Sequence, residues 1–182
     1  MIKKILKYLS FITLIIVITV TFIIHIQGNL YQVNDDVYRS GQLNKYNLEY
    51  YINSHKIKTI LNLRGYSKKQ YYIDEINISN QLNVKHIDFE ISNRVFLDFN
   101  KTSQLVEIMK KAKKPLLIHC AGGADRTSMA SALYQYAIEN KSKKESNEEF
   151  SIIYGHTPYF RKHVIAMDNS FENYVKKDKE KR

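Results

Sequence analysis

Residues 115–127, PLLIHCAGGADRT, constrain the fold more than any other stretch of the chain. Leu116, Leu117 and Ile118 form a continuous apolar run closed by Pro115 in front and by Gly122 and Gly123 behind. Such a run is too short for a helix and apolar on both faces, so it reads as a strand buried in a parallel sheet. From Arg126 to Asn140 the residues Met129, Ala132, Leu133, Tyr136 and Ala137 then share one helical face. A buried strand that turns directly into a helix is the building unit of α/β folds.

The preceding sequence repeats that unit. Residues 37–43 (VYRSGQL) read as a short strand and turn, and residues 44–56 as a helix opened by an Asn cap. Ile60, Leu61 and Leu63 mark a second buried strand ending at Arg64-Gly65. A helix capped by Ser67 is expected through Gln81, and residues 84–91 alternate as a strand. Over residues 101–113 Leu105, Ile108, Met109 and Ala112 take core-facing helical spacing. The expected fold class is α/β, with a mostly parallel central sheet flanked by helices.

At the N-terminus, residues 8–26 carry no Asp, Glu, Lys or Arg and follow Lys3, Lys4 and Lys7. The pattern predicts one transmembrane helix as a retained anchor, with the domain outside the cytoplasmic membrane by the positive-inside rule. A signal peptide cleaved near Gly28 is the competing reading. By pattern the chain divides into an anchor over 1–27, a linker over 28–36, a catalytic domain over 37–175 and a disordered basic tail over 176–182.

The chain carries a net charge of +10, and residues 28–182 alone hold 25 basic and 18 acidic residues. A basic surface favours acidic partners without choosing among them. With a single Cys no intrachain disulfide can form, so Cys120 is either a small buried hydrophobe or a reactive thiol.

Its neighbours point to reactivity. A loop leaving a strand and entering a helix turns successive N–H groups into one concavity, where the helix N-terminus adds positive potential. Gly122 and Gly123 let the backbone approach an oxyanion closely, and Arg126 is spaced to fold back on two phosphate oxygens. That cradle depresses the pKa of the Cys120 thiol. His119 is expected to orient the loop and Thr127 to donate its hydroxyl to the sulfur.

On these residues the sequence resembles the cysteine-dependent protein tyrosine phosphatase superfamily, whose signature is His-Cys-x5-Arg-Ser/Thr. It resembles more closely the bacterial dual-specificity-phosphatase-like members. VYRSGQL, LNLRG, HIDFEIS, HCAGGADRT, YGHTPY and MDNSFENY are similar to blocks of that group, in order, over about residues 37–174. The resemblance implies a dual-specificity-phosphatase-like fold and phosphomonoester hydrolysis through a phosphocysteine intermediate. Cys120 is then the nucleophile, with phosphate bound by Arg126 and the amides of Ala121, Gly122, Gly123, Ala124, Asp125 and Arg126. The implied partner is a phosphorylated protein or a small phosphomonoester; the apolar N-terminal stretch adds an expected membrane contact, and no nucleic acid is expected.

Two positions depart from the group. Ser128 stands where Gly is common, and Ala124 stands where several phosphoinositide-preferring relatives carry Lys. For the general acid, Asp125 ranks ahead of Asp88, with Glu90 and Asp98 as further carboxyls in the region before the signature strand. Arg64 and Arg94 are read as structural. No metal-ligand spacing and no nucleotide-binding Gly-x4-Gly-Lys motif occurs, so no metal or cofactor is expected. A rhodanese-type sulfur transferase and an inactive phospho-binding module are the rival functions, and a phospholipid or other small phosphate is the rival substrate.

Overall fold

The computed structural model describes residues 2–22 and 27–181. Five strands form one sheet in the order β1-β2-β5-β3-β4, with β1 Tyr31–Asn34, β2 Val37–Ser40, β3 Thr59–Asn62, β4 Lys85–Asp88 and β5 Leu116–His119. Only the β1–β2 pair is antiparallel. β3 and β5 are buried at every residue, as expected for central strands covered on both faces. Register places Ser40, His119, Asn62 and Asp88 in one row across β2, β5, β3 and β4. That row is the carboxyl edge of the parallel strands, where α/β sheets place their ligands.

Alternation along the strands builds two cores. On one face Leu61, Leu116 and Ile118 pack with α4 (Phe99–Lys111), α5 (Asp125–Ala137) and α7 (Ile165–Lys181) through Leu105, Met109, Met129, Leu133 and Phe171. On the other, Ile60 and Leu117 pack with α2 (Lys45–His55) and α3 (Gln70–Gln81) through Leu48, Ile52 and Ile78. α2 begins where predicted, the Asn44 side chain accepting from the N–H groups of Tyr46 and Asn47. α3 starts later than expected, because Ser67 takes the Lys69 N–H inside a turn and does not cap the helix. A short helix, α6 (Lys143–Asn147), carries a Ser142–Glu145 capping box.

The chain termini differ from expectation. Residues 31–34, assigned to a linker, form the edge strand β1, and α7 stays helical through Lys181 where a disordered tail was expected. The N-terminal helix α1 spans Ile2–Thr21. Among the described residues no helix is long and apolar enough to cross a membrane, which overturns the single-pass anchor and the extracytoplasmic placement built on it. The physical reason is length: α1 begins within the Lys3, Lys4 and Lys7 stretch. The uncharged part of α1, residues 8–21, therefore covers about 21 Å of a hydrocarbon core of about 30 Å. The rest of the apolar stretch, residues 23–26, lies outside the described residues.

Candidate active site

The loop between β5 and α5 lies against the turn that follows β2. Three consecutive carbonyls of the loop are held from that side. Ala121 O accepts from the Gln42 N–H at 3.0 Å, Gly122 O from Asn29 Nδ2 at 2.8 Å, and Gly123 O from Arg39 Nη2 at 2.9 Å. With these three carbonyls taken by donors outside the loop, its N–H groups are left for other acceptors, and those of Gly123 and Thr127 meet the Cys120 sulfur. Gly123 has φ +70°, and a Cβ there would meet Gly41 N at 2.6 Å, so the close approach of loop and turn requires glycine.

Cys120, directly after β5, is 3% exposed. Burial alone pushes its thiol up. The Arg126 charge, the Thr127 hydroxyl and the N–H groups of Thr127 and Gly123 outweigh that effect and hold it below the usual thiol range. Arg126 is in turn aimed by two backbone carbonyls, Leu63 O at 3.3 Å just after β3 and Ile91 O at 3.2 Å in the segment that follows β4. The two arms of the sheet edge therefore set where the guanidinium sits.

His119 points away from the concavity, into a buried cluster. Its Nε2 lies 3.1 Å from Glu75 Oε1 on α3, which also faces His86 Nε2 at 2.8 Å, while Glu75 Oε2 accepts from Gln42 Nε2 at 2.6 Å. Burial opposes charge on both partners, yet the pair wins. Glu75 is held far below the ordinary carboxylate range, and His119 is raised. Sequence reading missed Glu75, whose helical stretch QYYIDEINIS carries no mark that one of its acids is buried.

Arg39 was missed too. It is 1% exposed, lies over the Tyr154 ring at 3.8 Å, pairs with Glu149, and donates to both Gly123 O and Ser128 Oγ. Ser128, at the position commonly Gly, thus accepts a hydrogen bond that glycine cannot. The one signal available was a charged residue inside a four-residue strand next to Ser40-Gly41.

The carboxyls expected near the loop divide sharply. Asp125 is 5% exposed and accepts from Asn93 Nδ2 (3.1 Å), Arg161 Nη1 (2.9 Å) and Nη2 (3.0 Å), with His156 Nδ1 at 3.0 Å. Burial raises its pKa, but His156, Asn93 and Arg161 together bring it below the ordinary value. Asp98 caps α4 through the Lys101 N–H, and Asp88 accepts from Asn62 Nδ2 at 2.8 Å and from the Tyr72 hydroxyl at 2.6 Å. Glu90 is exposed beside Gly65, adjacent to the Ile91 carbonyl that aims Arg126. Arg64 stacks on Tyr71 and donates to Gln42 Oε1, and Arg94 is exposed. Among the described residues no group of His, Cys, Asp and Glu has the arrangement of a metal site.

The family of DSP-PTPase phosphatases fused to NAD+ kinase matches residues 26–169, most of the chain. The chain belongs to this phosphatase family. It is a cysteine-dependent phosphomonoester hydrolase, and the family's chemistry runs through a phosphocysteine intermediate. No curated protein matches the phosphatase significantly in sequence. Solved structures share its fold. TpbA of P. aeruginosa superposes with a TM-score of 0.64 at 18% identity, covering 81% of this chain and 89% of its own. PTPMT1 gives 0.61 at 11% identity, covering 83% and 99%. The catalytic core of the PP-IP phosphatase SIW14 from S. cerevisiae gives 0.54 at 20% identity, covering 78% and 93%.

Proposed function

We propose that Cys120 is the nucleophile of a phosphatase acting on aryl phosphomonoesters of the phosphotyrosine type. The thiolate attacks phosphorus, an S–P bond forms as the P–O ester bond breaks, and the leaving oxygen takes a proton from a carboxylic acid. Water, giving a proton back to that carboxylate, then attacks phosphorus, the S–P bond breaks, and inorganic phosphate and the Cys120 thiolate are released. Arg126 and the inward amides of residues 121–126 carry the equatorial oxygens. The observation behind this reading is the surroundings of the Cys120 sulfur: Arg126, the Thr127 hydroxyl and two amides lower its pKa against the full cost of burial.

Asp125 then serves as an anchor for the loop. A carboxylate already facing four nitrogen contacts has its charged form stabilised and its lone pairs occupied, the opposite of what a proton donor needs. The acid comes from the β4 side of the mouth, with Glu90 ahead of Asp88, because both Asp88 oxygens already accept hydrogen bonds. The choice of substrate is supported by TpbA, which has been crystallised with phosphotyrosine, and by Ala124, which places no lysine in the loop for a further phosphate. PTPMT1 has been crystallised with PI(5)P, so that lipid is the comparison substrate.

The test is turnover of aryl phosphate, phosphotyrosine peptide and PI(5)P by the full chain in the presence of chelator. Aryl phosphate and phosphotyrosine are expected to be hydrolysed, and Cys120→Ser is expected to abolish turnover while retaining inorganic phosphate binding. Activity of Cys120→Ser within tenfold of wild type overturns the assignment.

A further inference from the structure

We propose that His156 is a positioning residue for the anion loop: clamped between Asp168 on α7 and Asp125 at the start of α5, its doubly protonated ring ties the loop to the C-terminal helix, and loss of that proton releases the loop. The proposal rests on the reading that this loop and Arg126 bind the phosphoryl group.

The geometry fixes the protonation state. His156 is 3% exposed, with Nδ1 3.0 Å from Asp125 Oδ1 and Nε2 3.1 Å from Asp168 Oδ2. A neutral imidazole has one N–H, and its other nitrogen would aim a lone pair at a carboxylate in a buried site; only the imidazolium donates to both. The acids facing the ring are Asp125 from α5 and Asp168 from α7. The Phe150 ring packs against it with centroids 5.2 Å apart, and Arg161 reaches it only through Asp125.

What the clamp holds is the residue before Arg126. Arg161, which also donates to Gly155 O and Thr157 Oγ1, grips Asp125 with two nitrogens, and His156 supplies the link onward to α7. Asp125 is the first residue of α5, so its position sets the N–H groups and the Arg126 side chain that follow it. Burial pulls the ring's pKa down, but the bonds to Asp125 and Asp168 outweigh that and raise it to about 9. Below that pH the loop is tied; above it one carboxylate loses its donor.

The experiment follows kcat and KM of the full chain for an aryl phosphate from pH 6 to 10.5, with inorganic phosphate as competitive inhibitor. NMR reads the His156 ring and the Gly122 and Gly123 amides in parallel. Wild type is expected to lose phosphate affinity as His156 deprotonates, with the loop amides moving at the same midpoint. Asp168→Asn removes one of the two carboxylates holding the proton and moves both midpoints to lower pH. His156→Gln at pH 7 weakens phosphate binding about tenfold, the worth of one hydrogen bond to a charged group, and removes the loss of affinity that wild type shows at the His156 midpoint. Should His156→Gln fail to fold, Asp168→Asn decides, since its carboxylate is partly exposed. Loop amides that ignore the His156 titration, or an affinity loss that stays at the wild-type pH in Asp168→Asn, overturn the clamp. Absence of turnover in wild type counts against the phosphatase reading alone, because the ring and amide titrations read the clamp without it.

Discussion

Arg39, buried in β2, donates from Nη2 to the carbonyl of Gly123 at 2.9 Å, so a strand more than eighty residues away in sequence fixes the middle of the anion loop. The same guanidinium pairs with Glu149, whose Oε1 also accepts from Gln135. Arg39→Met is expected to leave Glu149 buried without its cation and to cost about 3–5 kcal/mol, as breaking buried pairs does. Turnover falls with it, because Gly123 O loses its donor. Urea unfolding and aryl phosphate kinetics measure the two effects. Full activity in a destabilised protein would mean that Arg39 supports the fold without shaping the loop.

Thr127 tests the thiolate. Its hydroxyl and N–H both meet the Cys120 sulfur, so Thr127→Ala removes one of the contacts that hold the thiol's pKa down against burial. Alkylation of Cys120 by iodoacetamide, followed against pH, is expected to shift its midpoint upward. Turnover near neutral pH falls about tenfold, the scale of a hydrogen bond to a charged group. An unchanged midpoint would remove the hydroxyl from the account of thiol acidity.

Glu75 and His119 give a stability signature whose sign follows from their shifts. The depressed Glu75 contributes stability above its unfolded pKa of about 4.3, lost progressively as the pH falls below that value. The raised His119 contributes stability below its unfolded pKa of about 6.5, lost as the pH rises through its folded value. Glu75→Gln is therefore expected to destabilise most between about pH 4.3 and 6.5. The gap from wild type narrows on either side, as urea unfolding across pH 3–9 will read. A gap independent of pH would show that Glu75 contributes through packing alone.

The proton donor is separable from the anchor by leaving group. An alkyl phosphate needs protonation in the transition state and a nitrophenyl phosphate does not. Glu90→Gln is expected to slow the alkyl ester about a hundredfold or more beyond its effect on the aryl ester, in line with general acid catalysis. Asp125→Asn is expected to slow both esters alike by loosening the loop. A selective loss in Asp125→Asn would return the role to Asp125, and one in Asp88→Asn would move it to Asp88.

The candidate loop was legible because the residues that mark it are local. Cys120, the paired glycines and Arg126 fall within a few residues, between a strand marked by apolar continuity and a helix marked by its face. Hydrophobic period likewise gave the mostly parallel sheet and the helices that cover it. Misreadings gathered at the chain ends. β1 is an edge strand of four residues, none of them fully buried, so no apolar run announces it, and α1 reaches back into the lysines, where a hydropathy pattern alone had begun the span at Tyr8.

The sequence by itself therefore determined the class of fold, the thiol and the anion loop around it, since backbone geometry and residue type over a dozen positions suffice for those. Tertiary structure alone decided which charges serve that loop. Arg39, Glu75, Asn93 and the pair His156 and Arg161 come from four segments and reach the loop region through packing, and a buried charge acquires its role only from the partner that packing sets against it. For the same reason the surroundings of Asp125, in sequence the carboxyl nearest Cys120, were not legible: four nitrogen contacts from two other segments, Asn93 in one and His156 and Arg161 in the other, surround its carboxylate.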